Sequence, residues 1–122
     1  MAKIKFLENI YEGVQFHHPQ YLYWCEGCGY EHAFALLSEG GHHKFNGDLN
    51  NPTVVPSLVE DNTPGRKCHS FIENGFIRYL GDCWHDLKGK IIELPDVDQK
   101  IEERRENINR LKEKQKNNHE EI

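Results

Sequence analysis

The sequence has little apolar content and no long hydrophobic run, and both shortages limit what the protein can be. Hydrophobic residues make up 37% of the chain, so the core is small and would gain from a stabilising metal ion. No segment approaches the roughly 18 consecutive apolar residues that a membrane span needs. The first residues lead into no apolar stretch of the length found in secretory signals. We therefore expect a cytoplasmic protein that makes no membrane contact.

The sequence also lacks an excess of basic residues. Its formal net charge is −5, and all of this charge falls in residues 1–97, since residues 98–122 are neutral overall. Proteins that bind nucleic acid through its phosphates present a basic face. The charge balance therefore argues against nucleic acid as a partner.

All four cysteines lie between Cys25 and His85, each of them close to a histidine. Cys25-Glu26-Gly27-Cys28-Gly29 has the form of a tight turn that directs two sulfur atoms at one point. Disulfides are rare in the cytoplasm, where clustered cysteines more often bind a metal. The spacing predicts a closed, structural zinc site, with two disulfides as the alternative.

A hairpin supplies the other two cysteines. Asn74-Gly75 is typical of a two-residue type I′ turn, which would place Cys68 opposite Gly81 and leave Cys83 two residues further along. Residues two apart on a strand share a face. We therefore favour Cys83 as the fourth ligand. The predicted zinc ligands are Cys25, Cys28, Cys68 and Cys83, with His32, His69 and His85 as alternatives for the fourth position.

His69 has a second interpretation, because it neighbours Cys68 on a predicted strand. It should then point to the opposite face as a hydrogen-bonded structural histidine. The paired histidines at 17–18 and 42–43 are expected to be exposed loop residues.

Catalysis would require an open zinc position that holds a water molecule. Its acid or base would be His85, Asp82 or Glu31. The usual signatures of zinc deaminases and zinc proteases are absent. We therefore expect that the protein is not an enzyme.

The predicted fold class is α+β: a small β-rich, zinc-stapled domain with zinc-ribbon-like hairpins over residues 1–97, and a charged helical tail over 98–122.

Two prolines four residues apart predict that 51–57 is extended and lies outside the middle of a sheet. Residues 84–87 are predicted to form one helical turn capped by Asp82. The tail helix should begin at Asp96 or Asp98, and residues 97–111 offer a short apolar stripe for packing on the domain or for weak self-association. The predicted strands cover 3–7, 20–24, 32–37, 44–48, 57–60 and 90–94, with the hairpin at 67–80.

Several short motifs in a fixed order resemble a family of small phage and prophage proteins of unknown function, often labelled "ammonia monooxygenase". The resemblance covers about residues 21–96. A true ammonia monooxygenase is a membrane copper enzyme, so that label does not suit this chain. The resemblance implies a phage or prophage origin and a shared cysteine-rich scaffold. The motifs that carry it are Phe45-Asn46-Gly47-Asp48, Asn51-Pro52-Thr53-Val54-Val55-Pro56-Ser57-Leu58, Cys68-His69-Ser70-Phe71-Ile72-Glu73-Asn74-Gly75 and Leu80-Gly81-Asp82-Cys83-Trp84-His85-Asp86-Leu87-Lys88-Gly89.

These features together favour a phage or prophage accessory protein that binds a host or phage protein in the host cytoplasm. Inhibition of a host defence system, in the manner of an anti-CRISPR protein, is the expected role. Two alternatives are a small zinc-dependent enzyme acting on a nucleotide or nucleic acid, and a minor structural protein of the virion.

Overall fold

The structure is a computed structural model that describes residues 2–8, 10–11, 13–15 and 17–120. Its described elements are short strands followed by one long C-terminal helix. They are β1 (Lys5–Leu7), β2 (Ile10–Tyr11), β3 (Val14–Gln15), β4 (Gln20–Cys25), β5 (Tyr30–Phe34), a 3-10 turn (Leu37–Glu39), β6 (Lys44–Phe45), β7 (Val54–Glu60), β8 (Cys68–Glu73), β9 (Phe76–Tyr79), β10 (Ile91–Glu93) and α1 (Val97–Glu120).

The first sheet has three antiparallel strands in the order β1-β4-β5. The predicted return of the chain after the Cys25–Cys28 turn is confirmed, because Cys25 pairs with Tyr30 and Tyr21 with Phe34. Strand β4 is rich in aromatic residues, which suit a half-buried pleated surface. A separate short hairpin joins β2 to β3.

The second sheet has five antiparallel strands in the order β10-β9-β8-β7-β6. The predicted hairpin between β8 and β9 is confirmed, with Glu73 paired to Phe76. Asn74 and Gly75 have φ angles of 50° and 83°. A type I′ turn needs positive φ at both central residues, which is why Asn-Gly forms it readily.

The expectation that residues 51–57 avoid the middle of a sheet is wrong. Strand β7 lies between β6 and β8 and contains Pro56. The pairing with β8 shifts between Val54 and Leu58, so the β7 chain bulges away from the β8 ladder there. A bulge accommodates a proline because the residues it contains need not donate to the neighbouring strand.

The predicted helical turn at residues 84–87 is also wrong, since residues 81–90 form turns without a helix. Two amides of this loop donate to distant carbonyls. Trp84 N–H donates to the carbonyl of Lys67, and Gly89 N–H donates to the carbonyl of Tyr79. These bonds fasten the loop to the β8–β9 hairpin, and local bonds such as Lys88 N–H to the carbonyl of His85 close single turns that do not continue into a helix.

The buried residues fall into two clusters. The larger lies between the two main sheets and includes Tyr23, Ile72, Ile77 and Tyr79 together with three of the cysteines. The smaller joins Val97 and Ile101 of α1 to three residues of the first sheet, namely Leu7, Leu22 and Trp24. The fold class predicted from the sequence, a β-rich α+β domain with a C-terminal helix, is confirmed.

Helix α1 begins as predicted, because Asp96 Oδ1 accepts the Gln99 N–H at 2.9 Å. Three ion pairs hold its first turns to the first sheet: Lys5–Asp98, Lys100–Glu26 and Arg104–Glu31. Further along the helix, Leu111 is 62% exposed. The start of the tail therefore docks on its own domain, whereas self-association through residues 97–111 stays a prediction.

No helix in the described part of the chain is long and apolar enough to cross a membrane.

We predict that Ile101→Ala lowers the free energy of unfolding by about 2–4 kcal/mol, since it leaves a cavity between α1 and the first sheet. Leu111→Ala is the matched control on the same helix and should change stability by less than about 0.5 kcal/mol. Urea unfolding followed by circular dichroism measures both. Equal effects of the two substitutions would show that α1 does not dock as described.

Candidate functional site

Strand β8 separates two groups of chemically active side chains. Cys68, Ser70 and Ile72 are buried, whereas His69 and Phe71 between them are half-exposed. Successive side chains of a strand point to opposite faces of its sheet. Cys68 therefore faces the core between the sheets, and His69 faces the outer surface.

On the inner face, β4 and β8 bring thiols from distant parts of the chain together. The sulfur atoms of Cys25 and Cys68 lie 3.8 Å apart. Thiolates bound tetrahedrally to one zinc ion have about this separation. The Cys28 N–H donates to Cys25 Sγ at 3.3 Å, which fixes the turn that carries both cysteines. The described cysteines are free thiols rather than disulfides.

Six side chains on this face lie close enough to bind a metal ion, in two groups that share Cys68. The first group is Cys25, Cys28, His32 and Cys68, and the second is Cys68, Cys83 and His85. Within each group the candidate ligand atoms lie within 4.8 Å of one another. Three of the predicted zinc ligands, Cys25, Cys28 and Cys68, belong to the first group. Its fourth member is His32, one of the predicted alternatives for the fourth ligand.

His32 is 4% exposed, and its Nε2 has no hydrogen-bond partner among the described residues. A buried polar atom without a partner costs free energy. Metal coordination would satisfy it. The residues present therefore suit a metal ion.

The thiols of the first group differ widely in pKa. A hydrogen bond from Cys68 lowers the pKa of Cys25 to about 3 and raises that of Cys68. Burial raises the pKa of Cys28 to about 11. One thiolate is thus already favoured in the cluster, and a bound cation would favour the others, because metals bind thiolates.

Cys83 and His85 also contact neighbours outside a metal shell. Cys83 Sγ lies 3.1 Å from the carbonyl of His69 and accepts the His69 N–H at 3.3 Å. His85 Nε2 lies 3.4 Å from Cys68 Sγ, and its ring packs so closely on Gly27 that a Cβ there would lie 2.2 Å from it. Cys83 as the fourth ligand stays a prediction.

On the outer face, His69 lies between a hydroxyl and a carboxylate. Its Nε2 is 3.1 Å from Ser57 Oγ, and its Nδ1 is 3.2 Å from Asp82 Oδ2. An ionised carboxylate only accepts hydrogen bonds, so the neutral ring carries its proton on Nδ1 and leaves Nε2 free to accept the Ser57 hydroxyl proton. This is the arrangement of a serine–histidine–aspartate catalytic triad.

Asp82 is held ionised in this arrangement. Hydrogen bonds from Lys67 and then from His69 lower the pKa of the Asp82 carboxyl. Lys67 Nζ lies 3.1 Å from the same Oδ2 atom that His69 contacts. The side chain of Asp82 is 44% exposed and that of His69 is 24% exposed, so the triad lies open to solvent.

The position of Ser57 depends on the β7 bulge. A bulge changes the direction in which nearby side chains point, and Ser57 lies within the irregular stretch between Val54 and Leu58. His43 Nε2 lies 3.1 Å from the Ser57 carbonyl oxygen and is placed to donate to it. This contact supports the backbone beside the Ser57 hydroxyl. His43 is half-exposed, whereas the sequence predicted an exposed loop residue.

His69 and Asp82 were both candidate site residues from the sequence, but neither was predicted to belong to a triad, and Ser57 was not predicted at all. Strand alternation did indicate the outward face of His69. Glu31, another of the three candidate acid or base residues, forms a bidentate ion pair with Arg104 on α1.

Comparison with known proteins gives one family. The family model described as "Bacterial ubiquitination-like system serine protease (BubE)" matches residues 5–80. No curated protein and no solved structure matches the chain. The matched segment contains Ser57 and His69, and Asp82 lies two residues beyond its end.

This match corrects the expectation that the protein is not an enzyme, which is wrong because the matching family is one of serine proteases. From the sequence, catalysis was expected only at a metal-bound water. The outer face of the second sheet instead places the Ser57 hydroxyl of β7 beside His69 of β8.

Proposed function

The chain belongs to the family of bacterial ubiquitination-like system serine proteases, and we propose that it is itself such a protease, with Ser57 as its nucleophile. The observation that carries this proposal is the position of His69, within hydrogen-bond distance of both Ser57 Oγ and Asp82 Oδ2. The chain order serine, histidine, aspartate does not argue against it, because triads of the same geometry occur in several orders.

The proposed reaction follows from the atoms present. Ser57 Oγ attacks the carbonyl carbon of the scissile peptide bond while His69 Nε2 takes the hydroxyl proton. His69 then gives this proton to the leaving amine, and an acyl group stays on Ser57. A water molecule, deprotonated by His69, then adds to the acyl carbon, and His69 returns this proton to Ser57 Oγ as the ester bond breaks and the carboxylic acid leaves. Asp82 keeps the Nδ1 proton in place and stabilises the imidazolium that forms twice in this cycle.

The substrate that suits this site is a polypeptide. The triad lies on the open outer face of a sheet, with Asp82 and Val59 both exposed beside His69. An extended segment of another protein can reach such a surface. The family description supports a substrate within a bacterial ubiquitination-like system.

For the inner face we propose a zinc ion held by Cys25, Cys28, Cys68 and His32. Three thiolates and one imidazole form a closed tetrahedral zinc site, which stabilises a fold and leaves no coordination position for substrate. The ion would join the β4–β5 turn of the first sheet to β8 of the second. It would thereby support the strand that carries His69, without taking part in the reaction.

The phage or prophage origin, the host or phage protein partner, the cytoplasmic location and the inhibition of a host defence system stay predictions. The family description supports the coarser statement that the protein belongs to a bacterial system.

The proposed triad predicts a graded loss of hydrolysis. Ser57→Ala and His69→Gln should each lower kcat for an activated ester at least about a thousandfold, and Asp82→Asn at least about a hundredfold, because each removes a different part of the proton transfer. Asp86→Asn, an exposed aspartate of the same loop, is the matched control and should keep the wild-type rate. Wild-type rates in all three triad variants would contradict the proposal.

The proposed zinc site predicts about one zinc ion per chain by elemental analysis. Cys25→Ser, Cys28→Ser and His32→Ala should lose the ion and much of the stability, since binding free energy contributes directly to folding. Cys83→Ala and His85→Ala should keep it. Loss of zinc from Cys83→Ala with retention in His32→Ala would instead make Cys83 the fourth ligand. A chelated, metal-free chain that melts like the wild type would rule out a structural ion.

A further inference from the structure

A shallow groove lies on the outer face of the five-stranded sheet next to the triad. Its volume is about 310 Å³, and it is lined by Phe71, Glu73, Asn74, Phe76, Arg78 and Ile91. Phe71, Arg78 and Ile91 form a row across β8, β9 and β10, because Phe71 pairs with Arg78 and Arg78 with Ile91. Phe71 is also the next outward residue after His69 on β8, so the groove is continuous with the triad.

The groove has an apolar floor, one cation, Arg78, and one carboxylate, Glu73, at its edge. Phe76 is 46% and Ile91 is 63% exposed, so both side chains offer apolar surface to a bound chain. The Arg78 guanidinium lies 4.7 Å above the centre of the Phe71 ring. No carboxylate forms an ion pair with Arg78 among the residues that the structure describes.

We propose that this groove is a substrate subsite that selects a carboxylate close to the scissile bond, through Arg78. The carboxylate is an aspartate or glutamate side chain, or the free C-terminus of the substrate, and Phe71 and Ile91 hold the neighbouring apolar part of the chain. A guanidinium stacked on an aromatic ring keeps its donors available in the plane of the fork, which suits a carboxylate.

The spacing sets the distance from the cleaved bond. The ring centres of His69 and Phe71 are 6.4 Å apart, so the guanidinium lies within about 11 Å of the His69 ring. An extended chain advances about 3.3 Å per residue. The scissile carbonyl lies at Ser57 Oγ, which is a further 3.1 Å from His69 Nε2. The selected carboxylate therefore lies within about five residues of the scissile bond.

This inference rests on the proposed protease function, and the test separates the two. A synthetic peptide library, with each sequence made as a C-terminal acid and as an amide, is digested and its cleavage sites are read by mass spectrometry. Hydrolysis of a small activated ester is measured in parallel, because the ester reports on the triad and does not reach Arg78. Arg110→Glu makes the same charge change on the exposed side of α1 and is the matched control.

We expect wild-type cleavage sites enriched in acidic residues within about five positions, or in acid over amide termini. Arg78→Glu should cut these sites at least about tenfold more slowly, as a charged hydrogen bond is lost, while Arg78→Lys retains part of the preference. Ester hydrolysis should stay unchanged in each variant, and Arg110→Glu should match the wild type.

Peptide cleavage without an acidic preference, or with one that Arg78→Glu leaves intact, would overturn the subsite while the protease function stands. Ester hydrolysis by a wild-type protein that cleaves no library peptide would also overturn it. Absence of both activities in the wild type would overturn the protease function and the subsite together.

Discussion

The alternation of side chains along β8 is the constraint on which both sites depend. Cys68 faces the core and approaches Cys25 to 3.8 Å, and the next residue, His69, faces outward to Ser57 and Asp82. In the loop after β9, neighbouring residues also contact different sites. The Asp82 carboxylate bonds to the His69 ring, and the Cys83 sulfur bonds to the His69 backbone. The thiol cluster and the triad are therefore built back to back from neighbouring residues, so a change that moves β8 affects both.

Local signals predicted much of the fold. The Asn74-Gly75 turn, the Cys25–Cys28 turn and the aromatic strand β4 each depend on a few adjacent residues, and each forms as expected. The errors lie where distant contacts override local preference. Pro56 fits inside β7 only because that strand bulges against β8. In the loop at residues 81–90, the amides of Trp84 and Gly89 donate to Lys67 and Tyr79, and the loop forms separate turns without a helix.

More of the candidate site could be predicted from the sequence on the inner face of β8 than on its outer face. Cysteine spacing and hairpin register indicated the inner cluster, because both depend on near neighbours or on one turn. The same register also puts Asp82 on the face of His69, but Asp82 was predicted only as a helix cap or as an acid or base beside the zinc ion. Ser57 was not predicted, because its approach to His69 requires the β7–β8 pairing and the bulge between Val54 and Leu58. The cysteine and histidine pattern also favoured acid–base groups around a metal ion, which lies on the inner face, whereas Ser57 and His69 meet on the outer face.

The central claim is that Ser57 is a nucleophile activated by His69. The most direct measurement is covalent labelling of the full chain by a fluorophosphonate, with the modified residue identified by tandem mass spectrometry. Our account predicts stoichiometric, time-dependent modification at Ser57 in the wild type and its loss in His69→Gln, since an unactivated serine hydroxyl does not react at a comparable rate. No labelling of Ser57 in the folded wild-type protein, or equal labelling in His69→Gln, would contradict it.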